Sequence, residues 1–260
     1  MLSAGRRTRR GSGAPRRRRA ILYFLELLIC FGLLGSFGYA FSSYVYESDR
    51  FMVQHVRVEG ANALREESIL EVADIRSDDN LLLTECEAVR RRVEAMSYVK
   101  SCTVQRLYPD TIVIRIQERI PSAVLMLNNH LYEIDAEGVV LRALDDYAEN
   151  NGPLITNLAG LTAVEIGQRL DTPALLEALQ LWAAFQTVPL SQRLKVSELS
   201  APAANDIAMF CEEVPFAIKW GRTDYLRQAQ LLDIWWNQMG GKLPCKEYLD
   251  LRFGDDLVCK

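Results

Sequence analysis

The sequence RLYPDTIVIRIQERIP, residues 106–121, decides the fold of the first half of the chain. Its β-branched centre nearly alternates, and Ile112, Ile114 and Ile116 fall on one face, which predicts a half-buried strand. The tripeptide YPD just before this centre is a turn signal. The whole stretch therefore predicts two strands that are joined by a tight turn.

Upstream of this pair, the sequence predicts one more strand and two helices. Residues 51–60, FMVQHVRVEG, have the valine spacing of a half-buried strand. Residues 62–74 and residues 84–97, the latter with Thr84 as N-cap, carry apolar side chains three or four positions apart, as amphipathic helices do. Residues 51–119 thus predict a strand–helix–helix–strand–strand unit, in which two helices cover one face of a three-stranded sheet.

The second half of the chain changes to short strand candidates that are separated by turns. Three runs within residues 123–144 predict a meander of antiparallel strands. The later predicted elements are a strand near residues 153–155, helices at 171–187 and 224–239, and strands at 195–199, 206–211, 216–220, 247–253 and 256–259. The second helix is predicted to pack against the last strands through Leu226, Ala229, Leu232, Trp235, Trp236 and Met239. This half therefore predicts a mainly antiparallel β domain with two helices.

An apolar run near the N-terminus has the composition of a membrane anchor. Residues 20–41, AILYFLELLICFGLLGSFGYAF, carry one charge, Glu26, and about 20 apolar residues suffice to span a bilayer. A signal peptide is the alternative, but its apolar core is usually about 7–15 residues long, and Ser36 to Ala40 offers a poor cleavage site. We predict an uncleaved transmembrane helix over residues 20–43. Glu26 either contacts a partner helix or reaches toward the headgroups, and the sequence leaves both open.

Charge divides the chain sharply. Residues 1–19 contain eight arginines and no acidic residue, and without them 22 basic side chains stand against 34 acidic ones. The positive-inside rule therefore places this tail in the cytoplasm and the residues after the span outside. The acidic bulk argues against a nucleic-acid-binding ectodomain. The tail itself is either a nucleic-acid or lipid patch or, in our interpretation, a topology signal that also touches anionic lipid.

Eight short motifs follow one another along the chain. They are VRVEG at residues 56–60, SYV at 97–99, RLYPDT at 106–111, ERIP at 118–121, DAEG at 135–138, PLI at 153–155, IKWG at 218–221 and YLDLRF at 248–253. In this order, behind a single anchor, they closely resemble the FtsQ/DivIB family of bacterial cell-division proteins over about residues 20–253. The resemblance implies an α+β protein with a single transmembrane helix, a POTRA (polypeptide-transport-associated) domain at residues 44–119 and the family's β domain at residues 120–260.

The resemblance also implies a function without catalysis, cofactor or metal. Members of the family are divisome scaffolds of the cytoplasmic membrane, enriched at the septum, which bind FtsB (DivIC) and FtsL and help to control septal peptidoglycan synthesis. Independently, the two histidines, His55 and His130, lie away from any nucleophile elbow or metal-ligand spacing. The alternative function is a membrane-anchored POTRA protein that chaperones or recruits other exported polypeptides. Transporters of that kind carry several POTRA repeats or a membrane β-barrel, whereas this chain predicts one POTRA domain.

The partner site that the resemblance implies is the edge of the β domain at its C-terminal end. A partner strand would satisfy the unpaired backbone groups of that edge, and nearby side chains would give specificity. The candidate residues are Tyr248, Asp250, Arg252, Phe253, Leu257 and Val258. Phe253 corresponds to the aromatic that packs against the partner, and Arg252 to its basic neighbour. The alternative is that Leu249, Leu251 and Phe253 form one alternating core face beneath a loop.

Five cysteines follow the predicted span, an odd number for an oxidising compartment. A helix of ten residues after Cys86 rises about 15 Å, and the strand that returns to Cys102 covers about 13 Å. The two sulfurs would then lie at a similar height, so a Cys86–Cys102 disulfide is one hypothesis and two buried thiols are the other. Among Cys211, Cys245 and Cys259 at most one pair can form, and the sequence does not choose it.

Overall fold

The computed structural model describes residues 14–47, 49–145, 152–221, 224–253 and 256–260. Most of the arginine-rich tail, residues 1–13, lies outside these ranges, and so do residue 48, the predicted loop at residues 146–151, and residues 222–223 and 254–255. The described residues cluster into two compact units. The first runs to His55 and takes in Arg76–Thr84 and Arg106–Thr111, and the second contains the other described residues.

The first helix, α1 (Ala14–Glu47), contains the predicted apolar span. Its stretch Leu22–Tyr46 has 25 residues and a mean hydropathy of 1.8, and none of it is buried against the rest of the protein. Among the described residues, it is the one helix that is long and apolar enough to cross a membrane. At 1.5 Å per residue it rises about 37 Å, which exceeds the roughly 30 Å of a bilayer's hydrocarbon core. The helix continues four residues beyond the predicted end, residue 43.

The next five elements follow the predicted strand–helix–helix–strand–strand order. They are β1 (His55–Glu59), α2 (Glu66–Ala73), α3 (Cys86–Glu94), β2 (Val99–Leu107) and β3 (Thr111–Glu118). The three strands form a sheet in the order β1-β3-β2, and Ile112 and Ile114 are fully buried, as their alternation predicts. Both helices begin later than predicted, and Glu85 rather than Thr84 precedes α3. The Thr84 hydroxyl instead donates to the carbonyl of Asn80 at 3.0 Å.

The remaining strands form one nine-stranded sheet in the order β12-β11-β10-β9-β8-β7-β4-β5-β6. The strands are β4 (Pro121–Leu127), β5 (His130–Asp135), β6 (Val140–Leu144), β7 (Leu154–Thr156), β8 (Val196–Ala203), β9 (Asp206–Cys211), β10 (Ala217–Trp220), β11 (Tyr248–Phe253) and β12 (Asp256–Cys259). The predicted meander is β4–β5–β6. Most neighbours are antiparallel, while β4–β7, β7–β8 and β10–β11 are parallel. Helix α4 (Pro173–Gln186) connects the parallel strands β7 and β8, and helix α5 (Tyr225–Gln238) connects the parallel strands β10 and β11.

The core of this domain forms where α4 and α5 meet the sheet. Phe185 of α4 and Trp220 of β10 are fully buried and lie edge to face, with ring centroids 6.3 Å apart. The predicted apolar face of α5 is wrong at both ends, because Leu226 and Met239 are exposed. The helix turns a narrower stripe inward, centred on Leu232.

Candidate partner-binding edge

Strand β12 forms one edge of the nine-stranded sheet, and of the described strands only β11 pairs with it. The backbone N–H of Lys260 donates to the carbonyl of Tyr248 at 3.1 Å. Hydrogen-bonding direction alternates along an antiparallel strand, so the backbone groups of Leu257 and Cys259 point away from β11. These two residues therefore present N–H and C=O groups along the outer side of the sheet.

A disulfide fastens this edge strand to the domain. It joins Cys259 to Cys245, which precedes β11, with an S–S distance of 2.02 Å. The carbonyl of Lys260 also accepts hydrogen bonds from the N–H groups of Lys246 and Glu247, at 2.8 and 2.7 Å. Strand β12 is thus held by a covalent bond as well as by its ladder with β11.

The disulfide hypothesised between Cys86 and Cys102 is not formed, and both residues are free thiols. Cys86 is half-buried at the first residue of α3, whereas Cys102 is turned into the protein interior. Burial raises the pKa of the Cys102 thiol to about 11, and the carboxylate of Glu94 acts in the same direction. Cys102 is therefore a buried thiol, as the alternative to the disulfide hypothesis predicted.

The two charged candidates on β11 bind each other. Asp250 is buried, and its carboxylate accepts from Nη2 and Nε of Arg252 at 2.7 and 2.9 Å and from the Arg252 backbone N–H at 3.0 Å. Burial by itself would raise the pKa of Asp250, but the hydrogen bonds and charge of Arg252, with the charge of Lys219, hold it below its usual range. Arg252 also lies 3.9 Å from Asp206. The outer face of the sheet therefore carries a fixed guanidinium.

Tyr248 is half-buried, and two ammonium groups lie near its ring. Lys219 Nζ lies 4.3 Å from the centre of its ring, and Lys260 Nζ lies 6.0 Å from it. A cation over the face of a tyrosine is attracted by the negative charge of that face. Lys219 was not among the candidate residues, although its place in the IKWG motif was a usable signal.

The apolar candidates divide between the core and the solvent. Leu257 packs against the hydrophobic core, whereas Val258 is exposed. Leu249 and Leu251 are fully buried as an alternating pair, but Phe253 is 59% exposed. The register of β11 and β12 shifts between Asp250 and Phe253. Phe253 therefore does not continue the core face formed by the two leucines.

Two residues outside the predicted set support β11 from behind. The buried amide of Gln228 in α5 donates to the carbonyl of Leu251 at 3.2 Å. A Cβ at Gly221 would lie 3.1 Å from Cα of Arg252 and 3.2 Å from Nε2 of Gln228. A side chain at the glycine of the IKWG motif would therefore crowd β11 and α5, which approach each other closely here.

The ERIP motif joins the two sheets. The Glu118 carboxylate accepts from the backbone N–H groups of Asn62, Ala63 and Leu64, all at about 2.9 Å. Burial opposes ionisation of Glu118, but these bonds lower its pKa overall. The carbonyl of Ile116 leaves no room for a Cβ at Gly60, where φ is +88°. The glycine and the glutamate of the two motifs thus shape the same loop before α2.

Arg119 continues this joint into the nine-stranded sheet. Its Nη1 donates to Asp135 at 2.7 Å and to Glu137 at 3.0 Å. Nearby, the Tyr98 hydroxyl donates to the buried carboxylate of Glu133. Only two residues separate β3 from β4. The joint between the sheets is therefore short and held by charged hydrogen bonds.

The comparisons with known proteins agree with this two-part architecture. Residues 51–119 match the family model described as "POTRA domain, FtsQ-type", and residues 123–252 match the model described as "Cell division protein FtsQ/DivIB, C-terminal". Together they cover the three-stranded sheet and most of the nine-stranded sheet. The chain belongs to the FtsQ/DivIB family. Phe253 and β12 of this FtsQ/DivIB chain lie just beyond residue 252, where the match to the C-terminal family model ends.

Relatives resemble this FtsQ/DivIB chain over most of its length. The cell division protein FtsQ of Syntrophotalea carbinolica is 27% identical over 216 residues, 83% of this chain and 76% of the relative. The FtsQ of Geotalea daltonii is 24% identical over 87% of this chain and 82% of its own length. That of Geobacter sp. strain M21 is 24% identical over 89% and 84%. Membership implies that the partners of the chain are other cell-division proteins.

Proposed function

We propose that the chain is a non-enzymatic scaffold of the division machinery that uses its β12 edge to bind FtsB (DivIC)-like and FtsL-like proteins. It is anchored in the cytoplasmic membrane with its arginine-rich tail inside and its POTRA (44–119) and β (120–260) domains outside, and it helps to control septal peptidoglycan synthesis. The observation that supports this most strongly is the outer side of β12, where none of the described strands pairs, beside the exposed Phe253.

The edge has what strand addition requires. A partner strand hydrogen-bonds to the outward backbone groups of Leu257 and Cys259, and the Cys245–Cys259 disulfide keeps β12 in place for it. Phe253 supplies an aromatic anchor of the kind that dominates interface energies. Asp250 is buried, so we assign it the role of orienting Arg252 rather than of touching the partner.

One test addresses the side chain of Phe253. The full chain in detergent, titrated with an FtsB-like protein of the same organism, should lose about tenfold or more in affinity after Phe253→Lys, because truncating an anchor costs about 2 kcal/mol or more. Ile166→Lys is the matched control, since Ile166 is 61% exposed and lies outside β11 and β12. It should bind like the wild type.

A second test addresses the backbone of the edge. Leu257→Pro removes an N–H that points away from β11, so it blocks strand addition while leaving the ladder with β11 intact. Leu257→Ala loses the same side chain but keeps the N–H. We expect weaker capture from the proline variant than from the alanine variant. If Phe253→Lys and Leu257→Pro both bind at wild-type affinity, the β12 edge is not the docking site.

A further inference from the structure

The first compact unit carries exposed apolar side chains next to the end of the membrane helix. Leu83, Leu107 and Tyr108 are 50%, 53% and 62% exposed. Leu83 lies in the segment Arg76–Thr84, and Leu107 and Tyr108 lie in the segment Arg106–Thr111. Both segments belong to the same unit as α1. We call these three residues the apolar patch. Exposed apolar groups that lie together mark a contact surface more often than scattered ones do.

Asn80 ties the segment that carries Leu83 to the last turns of α1. Its side-chain Nδ2 donates to the carbonyl of Val45 at 2.9 Å and to that of Tyr46 at 3.4 Å. The backbone N–H of Leu83 in turn donates to the carbonyl of Asn80 at 3.0 Å. Leu83 is thus a few residues from a direct hydrogen bond to the membrane helix.

Arg106 brings the other two members of the patch to the same place. Its Nε donates to the carbonyl of Leu81 at 2.7 Å, and its Nη2 donates to that of Thr84 at 2.6 Å. Leu107 and Tyr108 follow it directly in the chain. The turn between β2 and β3 is therefore fastened to the segment that carries Leu83, and both segments lie at the end of α1.

The height of this anchoring point follows from the length of the helix. A hydrocarbon core of about 30 Å takes about 20 residues, so a span that begins at Leu22 leaves the core near residue 41. Val45 then lies about 6 Å further out, within a headgroup layer of about 5–7 Å per leaflet. Leu83 is three residues from Asn80, at most about 10 Å away. The segment that carries Leu83 is therefore within reach of the membrane interface.

We propose that the outer-leaflet interface of the lipid bilayer is the occupant of the apolar patch, and that Leu83, Leu107 and Tyr108 insert into it. Leucine and tyrosine side chains suit the boundary between headgroups and acyl chains. The charge of Arg106 is directed at backbone carbonyls rather than at lipid, and we expect burial of apolar surface to drive the contact. The contact needs no division partner, and it sets the orientation of the first unit on the membrane.

Fluorescence quenching by brominated lipid tests this contact. The full chain is placed in nanodiscs of zwitterionic lipid, with or without bromine on the acyl chains, as Leu83→Trp or Tyr108→Trp. Ile120→Trp is the control, because it is 79% exposed and belongs to the second unit. The four natural tryptophans are a background common to all variants. We expect bromine to remove about half or more of the signal that is added at positions 83 and 108, and little of that at 120.

Three results would overturn the proposal. One is equal quenching at positions 108 and 120. Another is an indole at position 83 or 108 that is shielded from water only after an FtsB-like or FtsL-like protein is added. The occupant of the patch would then be a protein. A third is quenching that appears only with anionic lipid and vanishes at high salt, since the contact would then be electrostatic. Only the second result also concerns where a partner binds. Capture by β12 is tested separately with Phe253→Lys and Leu257→Pro, so the failure of one proposal can be told from the failure of the other.

Discussion

The guanidinium of Arg252 closes on the carboxylate of Asp250 two residues earlier in the same strand, with Nη2–Oδ2 and Nε–Oδ1 distances of 2.7 and 2.9 Å. The carboxylate is buried, while the guanidinium is partly exposed beside Phe253. Because the pair is held within one chain, Arg252 has a structural role whether or not a partner is bound.

Asp250 should give the domain an acid-sensitive contribution to stability. Its folded-state pKa is below the ordinary value of about 3.9, so the contribution is present above that value and is lost as the pH falls through the folded-state pKa. The difference in unfolding free energy between the wild type and Asp250→Asn should be constant above about pH 5 and should shrink below about pH 4. Denaturant titrations at several pH values measure it. A difference that persists unchanged at pH 3 would contradict this assignment.

Removing the guanidinium should expose the cost of a buried, unpaired charge. Arg252→Ala should lower the free energy of unfolding by about 1–3 kcal/mol, because Asp250 keeps only the backbone N–H as a donor. The double variant Arg252→Ala with Asp250→Asn should recover part of that loss. If the single and double variants are equally stable, the two side chains do not interact in solution.

The cysteine pairing is open to direct measurement. Mass spectrometry of unreduced peptides should find Cys245 linked to Cys259, and should find Cys86 and Cys102 as thiols. Cys245→Ala should cost about 3 kcal/mol, the figure for closing a loop of about 15 residues. Cys86→Ala is the control and should cost much less, since its thiol has no bond to lose. A linked Cys86–Cys102 peptide would restore the pairing hypothesised from the sequence.

Two tryptophans of the β domain should differ in their importance. Trp220 is fully buried against Phe185, whereas Trp236 is half-buried on α5. Trp220→Ala should therefore cost about 3–5 kcal/mol of unfolding free energy, and Trp236→Ala clearly less. Thermal or chemical unfolding of the two variants side by side makes the comparison. Equal losses would mean that the indole of Trp236 is as deeply packed as that of Trp220.

The joint between the two sheets should depend on one arginine. Arg119→Ala removes a donor from the buried carboxylate of Asp135, so it should destabilise the chain by about 1–3 kcal/mol. Arg115→Ala is the matched control, because its ion pair with Glu59 is exposed and such pairs contribute roughly 0–1 kcal/mol. Limited proteolysis should also cut the Arg119→Ala variant more rapidly near the joint. If the two variants have the same free energy of unfolding, the ion pair of Arg119 contributes no more than the exposed pair of Arg115.

The orientation of the anchor rests on the eight arginines before Ala20. An export-dependent reporter fused after Phe41 should be active, and the same reporter fused before Ala20 should be inactive. Replacing the arginines of residues 16–19 by glutamate should reduce the activity of the first fusion. Activity from a reporter within residues 1–19 would reverse the proposed topology.

Periodicity and turn signals in the sequence predicted the strand–helix–helix–strand–strand unit, the meander and the final strand, because each is specified locally. The disulfide was not predictable, since it depends on β12 returning beside the segment that precedes β11. The apolar face of α5 was overestimated because composition does not show where a helix extends past its sheet, as at Met239. Phe253 was chosen by its motif position, and only the register shift in β11 separates it from the core leucines.

The short joint at residues 118–121 lies far from β12, so a change of angle at the joint would displace β12 by a larger distance than it displaces β4. Strand β4, which begins at the joint, is six strands from β12 in the sheet, a distance of about 29 Å at the usual strand spacing of about 4.8 Å. A pivot of about 10° at Arg119 would carry β12 through about 5 Å, one strand spacing. A small change of angle at Arg119 would therefore be enlarged at β12 to about the width of one strand.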